Sequence, residues 1–232
     1  MELTWLEGSC FRLHATGLQI VTDPFDLPPG TPLQSGDVVT TSRRLPRERL
    51  HLGDVYRVVD GPGEYEIRGV PITGIATARR APEAGAAGEG GGAAGAPGDV
   101  WAGRNVVYTM ALDGISVCHL GRLDQGLAAA QLQELGSPDV VLLALGEGQG
   151  LAAGLAVQLV SQLEARLLVP VPLGGATGEA AVERFCRELG ADAQNVSPRL
   201  SVTASGLPAQ TQVVRLLPGA PSGPGSGGPP DA

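Results

Sequence analysis

The residues best placed to do chemistry are arginines. Arg43, Arg44, Arg47 and Arg49 crowd into seven positions directly after Asp37-Val38-Val39-Thr40-Thr41, which reads as a buried strand. Cations at such a place need water, a counter-charge or an anion, because burying an unpaired charge is costly. A guanidinium offers a planar fork of donors suited to carboxylate or phosphate. It stays protonated at any accessible pH, so it serves neither as a metal ligand nor as a general base. All 16 basic residues of the chain are arginine, which removes Schiff-base and lysine-nucleophile mechanisms. His14, His51 and His119 fall on different elements and lack the i, i+2 or i, i+4 spacing of a metal site. Cys10, Cys118 and Cys186 are odd in number and lie in apolar segments, so they read as reduced, buried small hydrophobes.

A few other polar positions are candidates. Asp23, in Thr22-Asp23-Pro24, is either a turn residue whose carboxylate bonds nearby amides or a remnant of a polar site. His119, between Cys118 and Leu120, reads as a satisfied core histidine before it reads as a general base. Gly61-Pro62-Gly63-Glu64 lacks a following helix N-terminus and any Gly-Lys-Thr pattern, so it is a structural turn. Gly146 to Gly150 is a better anion cradle by position, although the same glycines also serve plain tight turns. Asp124 is most simply a helix-start or ion-pair residue.

The elements that must position these residues change character along the chain. Leu3 to Leu6, Phe11 to His14 and Leu18 to Thr22 predict an antiparallel meander broken by Gly8-Ser9 and Thr16-Gly17. Asp37 to Thr41, Tyr56 to Asp60, Glu64 to Arg68 and Val70 to Thr77 continue the β pattern. Asp113-Gly114 between two apolar runs predicts a hairpin, since both turn positions need positive φ. Apolar residues then recur at helical spacing over Leu127 to Leu135, Ala152 to Leu163 and Val182 to Leu189, with strands at Val140 to Leu145 and Leu167 to Val171. Leu200 to Thr203 and Gln212 to Leu217 read as closing strands. Meanders followed by α/β units predict an α/β protein built as a four-layer αββα sandwich. One domain spans residues 1–217. Residues 79–103, rich in Gly and Ala, read as a disordered insertion, and residues 218–232 as a disordered tail.

Bulk properties narrow the function classes. A net charge of −8 and a pI near 4.9 argue against nucleic acid as a partner. No apolar run approaches the ~20 residues of a membrane span, and no basic, apolar leader opens the chain, so a cytoplasmic protein is expected.

Leu6-Glu7-Gly8-Ser9-Cys10-Phe11, Thr22-Asp23-Pro24, Asp60-Gly61-Pro62-Gly63-Glu64-Tyr65, Ile72-Thr73-Gly74-Ile75 and Cys118-His119-Leu120-Gly121 occur in an order that resembles the metallo-β-lactamase fold hydrolases. Within them the chain is most similar to the ascorbate-phosphate-lactonase-like branch of small, stand-alone bacterial members. The resemblance implies a dinuclear site of zinc or manganese and a bridging hydroxide held by His and Asp. It also implies that this chain departs from the pattern. The family's Ser-His-x-His-x-Asp-His loop stands here as Ser42 to Glu48, so histidine positions hold Arg43, Leu45 and Glu48, and an aspartate position holds Arg47. The aspartate after His119-Leu120-Gly121 is Arg122, a further histidine position holds Pro172, and the histidine expected after Ile75 appears as Arg79.

The expectation is therefore a metal-free pseudoenzyme with a binding or assembly role. Vestigial or anion-binding positions are Arg43, Arg44, Arg47, Arg79, Arg122, Glu48, Asp23 and His119. The arginines either pair with Glu48, Glu7, Asp23 or Asp124, or hold an anionic small molecule. A homo-oligomer or an active homologue is the candidate macromolecular partner. The competing expectation is a metal-dependent hydrolase of a lactone or phosphoester whose ligands come from other residues.

Overall fold

The computed structural model describes residues 1–25, 27, 38–43, 57–80, 103–192 and 196–219. Short alternating segments separated by glycine turns form β1 (Glu2–Glu7), β2 (Cys10–Ala15) and β3 (Leu18–Thr22), paired antiparallel in sequence. The next two strands, β4 (Val38–Thr40) and β5 (Arg57–Val59), add in parallel to β3. A long antiparallel run follows in β6 (Gly63–Ile67), β7 (Val70–Ala78), β8 (Arg104–Leu112) and β9 (Ile115–His119). The hairpin between β8 and β9 turns on Asp113 and Gly114 at φ 51° and 76°, as their pairing predicts.

The α/β half comprises α1 (Ala129–Leu135), β10 (Val140–Leu145), α2 (Ala153–Leu163), β11 (Leu167–Pro172) and α3 (Ala176–Glu188). Strand β10 is buried at every residue, as a parallel strand covered on both faces should be. Short strands β12 (Val196–Ser197), β13 (Leu200–Ser201), β14 (Gln212–Val213) and β15 (Arg215–Leu216) close the fold. One sheet runs β13-β1-β2-β3-β4-β5, the other β14-β11-β10-β9-β8-β7-β6.

The larger core lies between the sheets, where Leu3, Phe11, Leu13 and Ile20 meet Tyr108, Met110, Leu142 and Val169. A second core packs Leu159, Leu163 and Phe185 of the helices on Val141, Leu143 and Leu168 of the other sheet face. The outer face of the first sheet carries a small apolar cluster of Leu6, Cys10, Val21 and Val39. Among the described residues, two large sheets and helices packed on the outer face of the second make the α/β sandwich.

Two element boundaries differ from the sequence reading. Helix α1 starts later, because Ala128 is extended at ψ 155° and its N–H donates to the Gln131 side chain. Helix α3 starts six residues earlier than Val182, at Ala176. Its Gly178 looks like a breaker, yet a Cβ there would lie 2.3 Å from the Leu173 carbonyl oxygen. The glycine lets the helix pack directly on the end of β11. The tail expected from Pro218 is tied down at its first two residues: Pro218 bridges Trp5, and the Gly219 N–H donates to the Trp5 carbonyl. Residues 220–232 and most of the 79–103 segment lie outside the described residues. No described helix is long and apolar enough to cross a membrane.

Candidate functional site

The site takes shape where the C-terminal ends of β3, β4 and β5 meet β8 and β9. Asp23 follows β3 in a left-handed conformation, φ 41°, with its N–H donated to the Thr40 carbonyl at 2.8 Å. Its carboxylate is fully buried and accepts three hydrogen bonds. The Ser42 N–H donates to Oδ1 at 2.6 Å, the Ser42 hydroxyl to Oδ2 at 2.6 Å, and the Ser9 hydroxyl to Oδ2 at 3.0 Å. Asp23 is thus more than a local turn residue, since two of its three donors come from a residue 19 positions away. Three charge-assisted bonds are what a buried carboxylate needs to offset its lost hydration.

The clamp on Ser42 continues on the other side. Ser42 gives its carbonyl to the Val106 N–H at 2.7 Å and thereby ties the end of the first sheet to β8 of the second. Gly121, at φ 63°, lies so close that an added Cβ would be 2.3 Å from the Ser42 Cβ and 2.7 Å from Asn105 Oδ1. Asn105 is buried and fully engaged. It donates to Thr77 Oγ1 and to the Leu120 carbonyl, and its Oδ1 accepts the Arg122 N–H at 3.0 Å. Tyr108 completes the floor with its hydroxyl 3.1 Å from both the Thr41 and Val59 carbonyls, and burial pushes its pKa well above the ordinary phenol range.

His119 is buried on β9, edge-on to Phe11 with ring centroids 5.9 Å apart. Its Nε2 lies 3.0 Å from the Ser9 carbonyl, which requires the proton on Nε2, while the buried Nδ1 has no hydrogen-bond partner. The expectation of a satisfied histidine is therefore met at one nitrogen only. Burial lowers its pKa, against the raising influence of the Asp23 charge and the Ser9 carbonyl.

The arginines divide. Arg43 follows the clamped Ser42, and its guanidinium carbon sits 4.5 Å above the centre of the Phe25 ring. Arg122 follows Gly121, which lies against the side chain of Ser42, the residue before Arg43. Arg79, at the end of β7, pairs with Asp124 at 3.5 Å and reaches the Gln149 carbonyl. Asp124 also accepts the Arg80 N–H, so it is the ion-pair residue expected of it. Arg44, Arg47 and Glu48 lie outside the described residues. The Gly146 to Gly150 segment spends its amides internally: Gln149 and Gly150 N–H groups return to the Gly146 carbonyl, which makes it a tight turn. Ser9, Ser42, Asn105 and Tyr108 were not singled out by sequence reasoning. Their one signal is a polar residue or tyrosine beside an otherwise apolar strand.

The described residues do not fit the two metals that the resemblance implies. Both Asp23 oxygens are taken by serine donors, His119 is turned toward a backbone carbonyl, and positions of the family's ligands carry Arg43 and Arg122. Among the described residues no three His, Cys, Asp or Glu side chains gather as a metal site would require.

No curated protein matches the chain. Among solved structures it is similar to a candidate Zn-dependent hydrolase of the metallo-β-lactamase superfamily from Thermotoga maritima. The two are 28% identical, with a TM-score of 0.70 over 93% of this chain and 97% of that one. Igni18, a metallo hydrolase from the archaeon Ignicoccus hospitalis, shares the fold at 18% identity and a TM-score of 0.58, covering 94% of this chain and 96% of its own. An isothiocyanate hydrolase from Delia radicum gut bacteria does so at 11% identity and 0.56, covering 95% and 98%. Residues 2–172 match the beta-lactamase superfamily domain. With that match spanning most of its length and its two sheets in this order, the chain belongs to the metallo-β-lactamase superfamily.

Proposed function

We propose that this chain is a non-catalytic member of its superfamily that binds an anionic small molecule, a phosphorylated or carboxylate-bearing metabolite, at the position where the family pattern places metal ligands. The observation that carries this reading is the Arg43 guanidinium placed over the Phe25 ring, one residue after Ser42, whose side chain lies against the Gly121 that precedes Arg122. A guanidinium held over an aromatic face is partly desolvated and restricted in orientation, which lowers the ordering cost of gripping an anion.

Thermal unfolding with phosphate, sulfate and sugar phosphates, on the parent and on an Arg43→Ala, Arg122→Ala double variant, tests the site. A ligand at ten times its Kd adds about 1.4 kcal/mol, roughly 3–5 °C for a domain of this size. The parent gains that shift and the double variant does not. Equal shifts in both, or none in the parent, remove the anion site. Metal analysis of protein purified without chelators tests the non-catalytic half: stoichiometric zinc or manganese would favour a metal-dependent hydrolase of a lactone or phosphoester. Binding or assembly with a second copy or an active homologue is read from the mass of the purified species.

A further inference from the structure

The Arg43–Phe25 stack joins two segments that are not neighbours in sequence, and one residue touches both. The Asp23 carbonyl accepts the Phe25 N–H at 2.7 Å, fixing the turn that presents the ring. The Asp23 carboxylate accepts the Ser42 N–H and hydroxyl, each at 2.6 Å, fixing the residue immediately before Arg43. Its own N–H is held by Thr40 and its second oxygen also by Ser9, so the carboxylate cannot follow Ser42 if the loop shifts. We infer that Asp23 is a positioning residue for anion recognition: it sets the guanidinium of Arg43 over Phe25 by gripping the backbone under each. This rests on the proposed anion site for its function, but the geometric part stands without it.

The inference makes a prediction whose sign opposes simple electrostatics. Asp23→Asn removes a buried negative charge beside the site, and Coulomb's law alone would then strengthen anion binding. Asparagine keeps one acceptor oxygen for the Ser42 N–H, but its amide nitrogen only donates, so the buried Ser9 and Ser42 hydroxyls lose the acceptor of their protons and must turn away from it. Positioning therefore predicts the opposite result, a phosphate Kd weakened about tenfold or more. Ser42→Ala, which removes one of the carboxylate's donors and leaves the charge in place, weakens binding in the same direction by a smaller factor. It also serves if the Asp23 variant fails to fold.

The stack itself is read separately by NMR of the arginine Nε–H and Cδ–H groups, without any anion. Protons above the Phe25 ring are shifted upfield by its ring current, and Phe25→Leu and Arg43→Lys identify the signals. Loss of the Arg43 ring-current shift in Asp23→Asn, with weakened phosphate binding, supports the inference. Loss of that shift when even the parent ignores phosphate still supports Asp23 as the positioner while sinking the anion reading. A retained ring-current shift in folded Asp23→Asn overturns the inference, and so does unchanged or tighter phosphate binding in a parent that binds.

Discussion

Replacing Gly121 by alanine tests the close approach that joins the two halves of the site. Two costs add. Alanine at φ 63° pays the left-handed penalty of ~1–2 kcal/mol. Its Cβ would also lie 2.3 Å from the Ser42 Cβ, 2.7 Å from Asn105 Oδ1 and 2.9 Å from the Ser42 hydroxyl. None of these is a free side-chain end, since Ser42 is fixed by Asp23 and Val106 and Asn105 by Thr77 and Leu120. Overpacking against such fixed groups costs about 1–3 kcal/mol. The sum is ~2–5 kcal/mol, a large part of the ~5–15 kcal/mol that holds a typical domain.

Gly17 supplies the control. Its φ is 78° and an added Cβ would meet nothing within 4 Å, so Gly17→Ala pays the backbone term alone, about 1–2 kcal/mol. Urea unfolding of the two variants isolates the contact. With an m-value of ~2 kcal/mol/M, Gly121→Ala lowers the midpoint about 0.5–1.5 M further than Gly17→Ala. In a Ser42→Gly background two of the three close atoms are gone and only Asn105 Oδ1 remains, so the cost of Gly121→Ala falls by ~1–2 kcal/mol as the coupling of a contacting pair. Equal costs at Gly17 and Gly121, or no coupling to Ser42, would refute the reasoning that packs Gly121 against the Ser42 side chain.

Other perturbations read the same architecture. Removing the Tyr108 hydroxyl by Tyr108→Phe takes away the donor that the buried Thr41 and Val59 carbonyls share, the latter keeping the Thr41 N–H, and destabilises by ~1–3 kcal/mol in denaturant unfolding. The depressed pKa of buried His119 makes stability fall as pH drops below ~6.5, because the unfolded imidazole takes a proton there and the folded one does not. Its part of the slope is at most about 1.4 kcal/mol per pH unit, and His119→Gln removes that part from a pH series of unfolding midpoints. Cys118 is buried with its thiol pushed up to about 12, so a thiol reagent at neutral pH reaches it no faster than the protein unfolds.

How far the sequence reveals the molecule depends on the range over which each residue acts. The Asp113-Gly114 hairpin is legible because its demand for two positive φ values is local, and few residue pairs meet it. Helix α2 is legible because Ala156, Leu159, Val160 and Leu163 repeat on one face. The start of α3 is hidden, since Gly178 answers to the Leu173 backbone beneath it and not to its own helix. The site is hidden for the same reason on a larger scale. Ser9 reaches Asp23 across 14 positions, Ser42 across 19, and His119 reaches the Ser9 carbonyl across 110. No spacing rule joins them.

The residues that the fold uses to aim its loops are distinct from the residues that those loops carry. Asp23, Ser42, Gly121 and Asn105 do their work through backbone groups: they hold the N–H of Ser42, let two chains approach, and accept the N–H of Arg122. None of that depends on whether the next side chain is an imidazole, a carboxylate or a guanidinium. Sequence reading found Arg43 and Arg122 as departures because it compared what is carried. The aiming parts surface only when the distances are in hand, and they act in the same way whatever side chain follows them. Ser42 anchored in this way presents the side chain that follows it in one place, and that placement is what the recognition proposed at Arg43 draws on.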